Sequence, residues 1–233
     1  MAKAICLHDY QAHITCRLSE AWRTHRSVMV QMPTGTGKTH VLAAVVRGFL
    51  HENEGAVWII AHRRELVTQA EEIVKRYGIS TADGRVKVMA IQWLTRHWED
   101  MDNMPALVVI DEAHHAQAAT YRMLWDRCLK ARFLGLTATP CRMNHCGFTD
   151  LFETLICSWS IAEFIRKGRL STFDYISIRA NSREQRLIDK LEKRGADGDY
   201  QIKEMNAVLN RRPSIERLYK SIQRFANNLK FAA

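Results

Sequence analysis

Five short apolar runs along the chain alternate with longer segments whose apolar residues recur at helical spacing. Within the runs the apolar residues are nearly continuous, which is typical of strands buried on both faces. Such strands, separated by helices, predict an α/β fold with a mostly parallel central sheet covered by helices on both sides. The predicted strands are Val28–Met32, Ala56–Ala61, Val86–Ala90, Ala106–Ile110 and Phe133–Leu136.

Helical periodicity accounts for the segments around these strands. Ser160 and Glu163 have the spacing of a capping box, so a helix is predicted to begin there and to end at Gly168. Tyr175–Ile178 is a further strand candidate, and the chain after Asn181 shows only helical patterns. The other predicted helices are Asp9–Thr24, with Asp9 as its cap, and then His40–Phe49, Glu65–Tyr77, Ile91–Trp98 and Tyr121–Ala131.

The turn between the first strand and the next helix has the sequence PTGTGKT. Glycines let successive N–H groups point at one anion, and the following helix turns its positive end toward the same anion. This layout predicts a phosphate-binding loop in which Lys38 reaches the β- and γ-phosphates and Thr39 binds Mg²⁺. The strict pattern has glycine where this chain has Met32, so the loop alone indicates only a nucleotide site. The predicted nucleotide-binding residues of the loop are Thr34, Gly35, Thr36, Gly37, Lys38 and Thr39.

Two more polar clusters directly follow predicted strands, namely Asp111-Glu112 and Thr137–Thr139. Because ligands of parallel sheets bind at the carboxyl ends of the strands, we expect both clusters to converge on the phosphate loop. Asp111 is then placed to hold Mg²⁺ together with Thr39, and Glu112 to orient and deprotonate the attacking water. The alternative is that the two acids only supply favourable charge to a helix start.

Some polar and aromatic side chains near these clusters have two interpretations. His114 is predicted to contact Thr137 and Thr139, although a capping or surface histidine and ordinary strand-end threonines have the same pattern. Trp93 and Trp98 are interpreted as buried core aromatics, with stacking on nucleic-acid bases as the alternative.

The amino-acid composition indicates which kinds of partner and which cellular compartment to expect. The 34 basic and 25 acidic residues give a net charge of +9, which favours a polyanionic partner such as nucleic acid, although many basic proteins have none. The six cysteines include no Cys-x-x-Cys pair, so we expect reduced thiols, no zinc site and a cytoplasmic protein. No apolar run approaches membrane length, and no membrane partner is expected.

Five sequence blocks occur in this order along the chain: MPTGTGKT, AHRREL (Ala61–Leu66), AIQWL (Ala90–Leu94), VIDEAHH (Val109–His115) and GLTATP (Gly135–Pro140). They resemble motifs I, Ia, Ic, II and III of the superfamily 2 helicases. Their character is that of the DEAH group, which includes RadD-like proteins and type III restriction helicase subunits. The segment LHDYQ, from Leu7 to Gln11, is similar to the adenine-reading element of that group, with His8 in place of the usual arginine. The resemblance covers roughly residues 7 to 178.

The resemblance implies an ATP- and Mg²⁺-dependent motor domain with a RecA-like three-layer sandwich fold. Tyr10 and Gln11 are then expected at the adenine, and Arg63, Arg64 and Gln92 at the nucleic-acid backbone. Ala90 stands where the group often has a phosphate-contacting threonine, so that contact is not expected here.

The domain organisation implied by the resemblance is a motor domain in residues 1–179 and a helical connector in residues 180–233. A second RecA-like domain, which carries the arginine finger of the family, is expected beyond this connector. The chain alone is therefore expected to hydrolyse ATP slowly, if at all. DNA is favoured over RNA; the alternatives are an RNA helicase, a P-loop ATPase that acts on a protein partner, and a non-catalytic binding module.

Overall fold

The computed structural model divides the chain into two compact units, Met1–Thr172 and Phe173–Ala233. The predicted boundary between residues 179 and 180 and the strand candidate Tyr175–Ile178 lie outside the described residues. The structure describes residues 6–62, 64–116, 118–140, 149–173, 183–192 and 201–210, and in addition 215–216, 219–220 and 223.

The first unit contains a six-stranded sheet whose order is β3-β2-β4-β5-β1-β6. Every strand pair in it is parallel, which confirms the fold class predicted from the near-continuous apolar runs. The strands are β1 (Ser27–Gln31), β2 (Ala56–Ala61), β3 (Val86–Ala90), β4 (Pro105–Asp111), β5 (Arg132–Thr137) and β6 (Thr154–Cys157).

Helices cover both faces of this sheet, so the unit has three layers. Successive strand residues point to opposite faces, and Val57 and Ile59 therefore pack on one side while Trp58 and Ile60 pack on the other. Apolar residues of α1, α2 and α3 belong to the first of these cores, and those of α4 and α5 to the second. The helices are α1 (Asp9–Ala21), α2 (Lys38–Glu52), α3 (Arg64–Arg76), α4 (Ile91–Arg96), α5 (Ala118–Arg127) and α6 (Ile161–Arg166).

The described part of the second unit contains two short helices, α7 (Arg183–Ile188) and α8 (Ile202–Leu209). Their presence agrees with the helical patterns expected after the sheet.

The ends of two helices test the capping predictions. Ser160 caps α6 as predicted, because its hydroxyl accepts a hydrogen bond from the Glu163 N–H at 3.2 Å. Gly168 takes a left-handed conformation with φ +64° just after this helix, as expected for a glycine that terminates it. The prediction for α1 was one residue off, since His8 occupies the cap position in extended conformation and Asp9 is the first helical residue.

One strand was missed from the sequence, and one prediction about the aromatic side chains was wrong. Strand β6 was not predicted, because it has only four residues and is an edge strand in which only Ile156 is buried. Trp93 is not a core aromatic, since 46 % of it is exposed, whereas Trp98 is buried as expected. The predicted helix Ile91–Trp98 ends at Arg96 as α4, and Trp98 is the first residue of a separate 3-10 helix, Trp98–Asp100.

Candidate nucleotide-binding site

The strand order brings three loops to one edge of the sheet. Strands β4, β5 and β1 are consecutive neighbours, so the segments that follow them leave the sheet side by side. The Met32 N–H donates to the Thr137 carbonyl at 2.9 Å, and the Gln31 side-chain amide donates to the Ala138 carbonyl at 3.3 Å. The first loop residue after β1 is thus bonded to the last residue of β5, and the last residue of β1 to the first residue after β5.

The loop between β1 and α2 depends on two glycines with left-handed backbone. Gly35 has φ +82° and Gly37 has φ +81°, a region that other residues rarely adopt. The Thr36 N–H and hydroxyl both bond to the Pro33 carbonyl, which closes the turn. Gly37 is also the N-cap of α2, so the positive end of this 15-residue helix faces the loop.

Met32, which departs from the strict loop pattern, has a structural role. Its side chain is fully buried in the core that contains Val41 and Leu136. The left-handed conformations occur only at Gly35 and Gly37 within the loop. A glycine at position 32 is therefore not needed for the backbone to turn, and the methionine contributes buried apolar surface.

Helix α1 supports the loop from inside the protein. Gln11 Nε2 donates to the Thr36 carbonyl at 3.1 Å, and Gln11 Oε1 accepts from the His8 N–H at 2.9 Å. The Tyr10 hydroxyl donates to the same Thr36 carbonyl at 3.1 Å, and both side chains are buried. Tyr10 thus lies beneath the loop, where its ring packs against Phe164.

A cavity of about 180 Å³ lies between α1 and the phosphate loop. His8 and Gln11 line it from one side and Gly37 and His40 from the other. His40 was not singled out from the sequence, although its position three residues after Gly37 in the first turn of α2 is the signal that places it here. A larger cavity, of about 620 Å³, lies beside Glu71 and Val86 at the opposite end of β3, away from the motifs.

The acidic pair after β4 has distinct environments for its two carboxylates. Burial raises the pKa of Asp111 above its ordinary value, and the charge of Glu112 raises it further, while the Glu112 N–H and Lys38 act in the opposite direction. The Glu112 N–H donates to the Asp111 carboxylate at 2.9 Å. Glu112 itself has a left-handed backbone with φ 48°, the only such value among the described non-glycine residues.

The Glu112 carboxylate lies between two nitrogen-bearing side chains. Lys38 Nζ is 3.7 Å from one of its oxygens, and His114 Nδ1 is 3.4 Å from the other. The structure therefore brings together the predicted phosphate-binding lysine, the predicted base and the predicted coupling histidine. Their proximity was expected from the sheet edge, but the ion pair between Lys38 and Glu112 was not.

His114 continues this set of contacts to the segment after β5. Its Nδ1 is 2.9 Å from the Thr137 hydroxyl, which also exchanges hydrogen bonds with the backbone of Thr139. When that hydroxyl donates to the Thr139 carbonyl, it has no hydrogen left, and His114 Nδ1 must be the donor. The same tautomer serves the neighbouring Glu112 carboxylate, which can only accept.

The predicted Mg²⁺ site has only two protein ligands, Asp111 and Thr39. Among the described residues, no three His, Cys, Asp or Glu side chains form a metal cage. Mg²⁺ usually takes one or two protein carboxylates and completes its shell with water and phosphate oxygens, so Asp111 and Thr39 are a sufficient set. Cys141, His145 and Cys146, whose spacing in the sequence superficially resembles half of a zinc site, lie outside the described residues.

Two of the predicted nucleic-acid contacts, Arg64 and Gln92, lie at the start of the helices that follow β2 and β3. Gln92 is exposed at the start of α4, and its amide donates to the His62 carbonyl at 2.9 Å, which ties the two loops together. Arg64 begins α3, but the structure does not describe its side chain, and Arg63 lies outside the described residues.

A parallel three-layer domain with a phosphate loop after β1 and an Asp-Glu pair after β4 belongs to the RecA-like P-loop class. Residues 4–142 match the family model described as "Type III restriction enzyme, res subunit", and the chain belongs to this family. It is the N-terminal RecA-like domain of a superfamily 2 helicase-like motor.

Individual relatives agree with this assignment. A "51.5 kDa protein" of a Lactococcus phage is 28% identical over 78% of this chain and 38% of its own length. The "DNA 3'-5' translocase XPB2" of Sulfurisphaera tokodaii is 27% identical over 82% of this chain and 44% of its own length. The crystal structure of the Pyrococcus furiosus Hef helicase domain superposes with a TM-score of 0.57 at 18% identity, covering 96% of this chain and 55% of that one.

The matched relatives are much longer than their matched parts, so the activity of a whole relative is not assigned to this chain. The chain spans less than half of the length of these two curated relatives.

Among the described residues, no helix is both long enough and apolar enough to cross a membrane.

Proposed function

We propose that this chain is the first motor domain of an ATP-dependent helicase or translocase that acts on nucleic acid, with DNA favoured. The observation that carries the proposal is the contact among the three loops, where Lys38, Glu112 and His114 meet beside Thr137. The net charge of +9 suits a polyanionic partner. DNA is favoured because one relative is named a DNA translocase.

ATP is expected to bind across the phosphate loop, with its base directed to the cavity beside α1. Backbone N–H groups of the loop other than that of Thr36, together with the start of α2, suit the phosphates. Gln11 Oε1 uses one lone pair for the His8 N–H, and its second lone pair is suited to the amino group of adenine. Guanine has a carbonyl oxygen at the equivalent position, so Gln11 favours adenine.

Mg²⁺ is expected between the phosphates and the residues Thr39 and Asp111. The raised pKa of Asp111, caused by burial and by the adjacent Glu112, fits this role, because a divalent cation offsets both effects. When bound, the ion neutralises charge that develops on the phosphate oxygens.

Glu112 is proposed as the general base that takes a proton from the attacking water. Lys38 holds this carboxylate in the structure, and phosphate oxygens compete with it for the same ammonium group. Binding of ATP is therefore expected to draw Lys38 away and to release Glu112 for the water. His114 then links the base to Thr137 and Thr139, which lets the nucleotide state influence the segment after β5.

Efficient turnover is expected to require a second RecA-like domain that contributes an arginine at the γ-phosphate. In this proposal the two domains close on ATP and reopen after hydrolysis, and each cycle moves them along one strand. Lengths of the relatives are consistent with this arrangement, since each is more than twice as long as its matched part.

The proposal is tested by measuring ATP and single-stranded DNA binding by the 233-residue chain. We expect Mg²⁺-dependent ATP binding that Lys38→Ala weakens and Lys87→Ala, on the edge strand β3, leaves unchanged. We also expect DNA binding whose affinity falls linearly with salt on logarithmic axes. A chain that binds no ATP contradicts the motor assignment, and one that binds ATP but neither DNA nor RNA favours a protein-directed ATPase.

A further inference from the structure

The most exposed tryptophan of the chain lies outside the nucleotide site. All six tryptophans belong to the described residues, and Trp93 is the one classed as exposed, with 46 % of its surface accessible. Its neighbour Trp98 packs edge-on against Trp58 in the core. An exposed indole leaves apolar surface in contact with water. A binding partner that covers this surface would gain the free energy of its burial.

The Trp93 ring is held in a fixed orientation. The imidazole of His97 stacks on it with ring centroids 4.4 Å apart and planes only 8° from parallel. His97 Nδ1 lies 2.9 Å from the Trp93 carbonyl, and since a carbonyl only accepts, the imidazole nitrogen is the donor. One face of the indole is thus covered by a fixed imidazole, while 46 % of the residue remains exposed.

This pair lies at the same sheet edge as the loops of the motor. Helix α4 begins directly after the carboxyl end of β3, and Gln92 bonds to His62 at the carboxyl end of β2. The exposed positions of α4 carry Gln92, Trp93, Thr95 and Arg96, which include one cation and no acid. Glu99, the next acid along the chain, is paired with Arg127.

We infer that Trp93, backed by His97, is a stacking platform for one base of a single-stranded nucleic acid. This inference rests on the proposed function and adds to it a contact to a base, since the expected contacts of Arg63, Arg64 and Gln92 are to the backbone. A rigid aromatic surface beside a basic side chain suits a base and its phosphate, and such stacking tolerates any base sequence. Because the indole is already fixed by His97, little side-chain freedom is lost on binding.

The test compares two strands of about 20 nucleotides, oligo(dT) and an abasic strand of equal length, titrated with the 233-residue chain by fluorescence anisotropy. The unchanged chain is expected to bind oligo(dT) more tightly than the abasic strand. Trp93→Ala is expected to weaken oligo(dT) binding about tenfold, to leave abasic binding unchanged and so to abolish the preference. Trp93→Phe is expected to retain most of the preference for oligo(dT) over the abasic strand.

Leu129→Ala is the matched control. Leu129 is 68 % exposed and lies between α5 and β5, at the amino end of that strand, so its loss removes exposed apolar surface away from the motif edge. We expect this variant to bind both strands as the unchanged chain does. Because Trp93 is exposed, thermal unfolding of Trp93→Ala is expected to match the unchanged chain, and Trp93→Gln provides a second helix-compatible replacement.

The outcomes separate this inference from the proposed function. If the unchanged chain binds neither strand, the proposed function fails and the inference fails with it. If the chain binds both strands but Trp93→Ala and Trp93→Gln keep the preference for oligo(dT), or weaken both strands equally, only the stacking platform is overturned.

Discussion

Glu112 carries more conformational and electrostatic constraint than its neighbours. Its backbone is left-handed at φ 48°, which a non-glycine residue adopts at a cost, and its carboxylate contacts both Lys38 and His114. Such strain is common where a side chain must be aimed at a reacting group. At the residue scale, this carboxylate is the strongest candidate for the group that moves a proton.

Glu112→Gln is expected to separate hydrolysis from binding. The amide keeps the length of the side chain but cannot accept a proton, so the hydrolysis rate should fall about 100-fold or more. ATP affinity should stay equal or rise, because Lys38 loses the partner that competes with phosphate. Single-turnover hydrolysis and an equilibrium ATP titration measure the two effects. Hydrolysis that persists at the unchanged rate would show that Glu112 is not the base.

Gln11 and Tyr10 both bond to the Thr36 carbonyl, yet they are expected to differ in function. Gln11→Ala should weaken ATP binding and remove the preference for ATP over GTP, because the proposal assigns the contact with the amino group of adenine to this amide. Tyr10→Phe removes one hydrogen bond worth about 1 kcal/mol of unfolding free energy and should leave the preference intact. Competition titrations with ATP and GTP decide this. Equal loss of preference in both variants would assign Gln11 to loop support alone.

At the scale of elements, the packing of β5 against the motifs depends on the lack of a Cβ atom at Gly135. A Cβ at Gly135 would overlap the Phe152 ring and approach the Cβ of Ala113, one residue after Glu112. This glycine has no positive φ, so its requirement is one of space. The strand that carries Thr137 can therefore approach the segment after β4 closely only because Gly135 is small.

Gly135→Ala is expected to lower the free energy of unfolding by about 1–3 kcal/mol through overpacking. Gly48→Ala is the control, because it lies inside α2, where an added Cβ meets no atom within 4 Å. That change should raise the free energy of unfolding by about 0.5–1 kcal/mol, as alanine is the better helix residue. Urea denaturation measures both. A stable Gly135→Ala variant would mean that Phe152 moves aside at little cost.

At the scale of the whole molecule, the proposed function gives the chain one side of an ATP site. Lys38, the cation that contacts Glu112, follows the phosphate loop directly. The proposal assigns the arginine at the γ-phosphate to a second domain. That arginine accelerates hydrolysis by about a thousandfold or more in related chemistry. The 233-residue chain is therefore expected to bind ATP and to turn it over slowly, with little response to DNA.

Steady-state ATP hydrolysis by the chain, with and without single-stranded DNA, checks this expectation. Fusion to the second RecA-like domain of a longer relative should raise the rate and make it dependent on DNA. Strong DNA-stimulated turnover by the 233 residues alone would contradict the requirement for a second domain.

Much of the fold followed from local patterns in the sequence. Near-continuous apolar runs such as Ala56–Ala61 and Val86–Ala90 identified strands with their exact bounds, because burial on both faces leaves a local signature. The order of the motifs identified the family in the same way. Short edge strand β6 left no such signature, since it is brief and only partly buried.

What only the tertiary structure decided is the neighbourhood of each side chain. The pairing of β4, β5 and β1 placed Lys38 against Glu112, and no local pattern records which strands are neighbours. The support of the loop by Gln11, 25 residues away in sequence, likewise arises from packing. Trp93 on α4 is exposed whereas Trp98, just after that helix, is buried, although both residues have the same type of side chain. The sequence by itself therefore determined the elements and the chemistry available, because those depend on neighbouring residues, while contacts between distant residues required the folded chain.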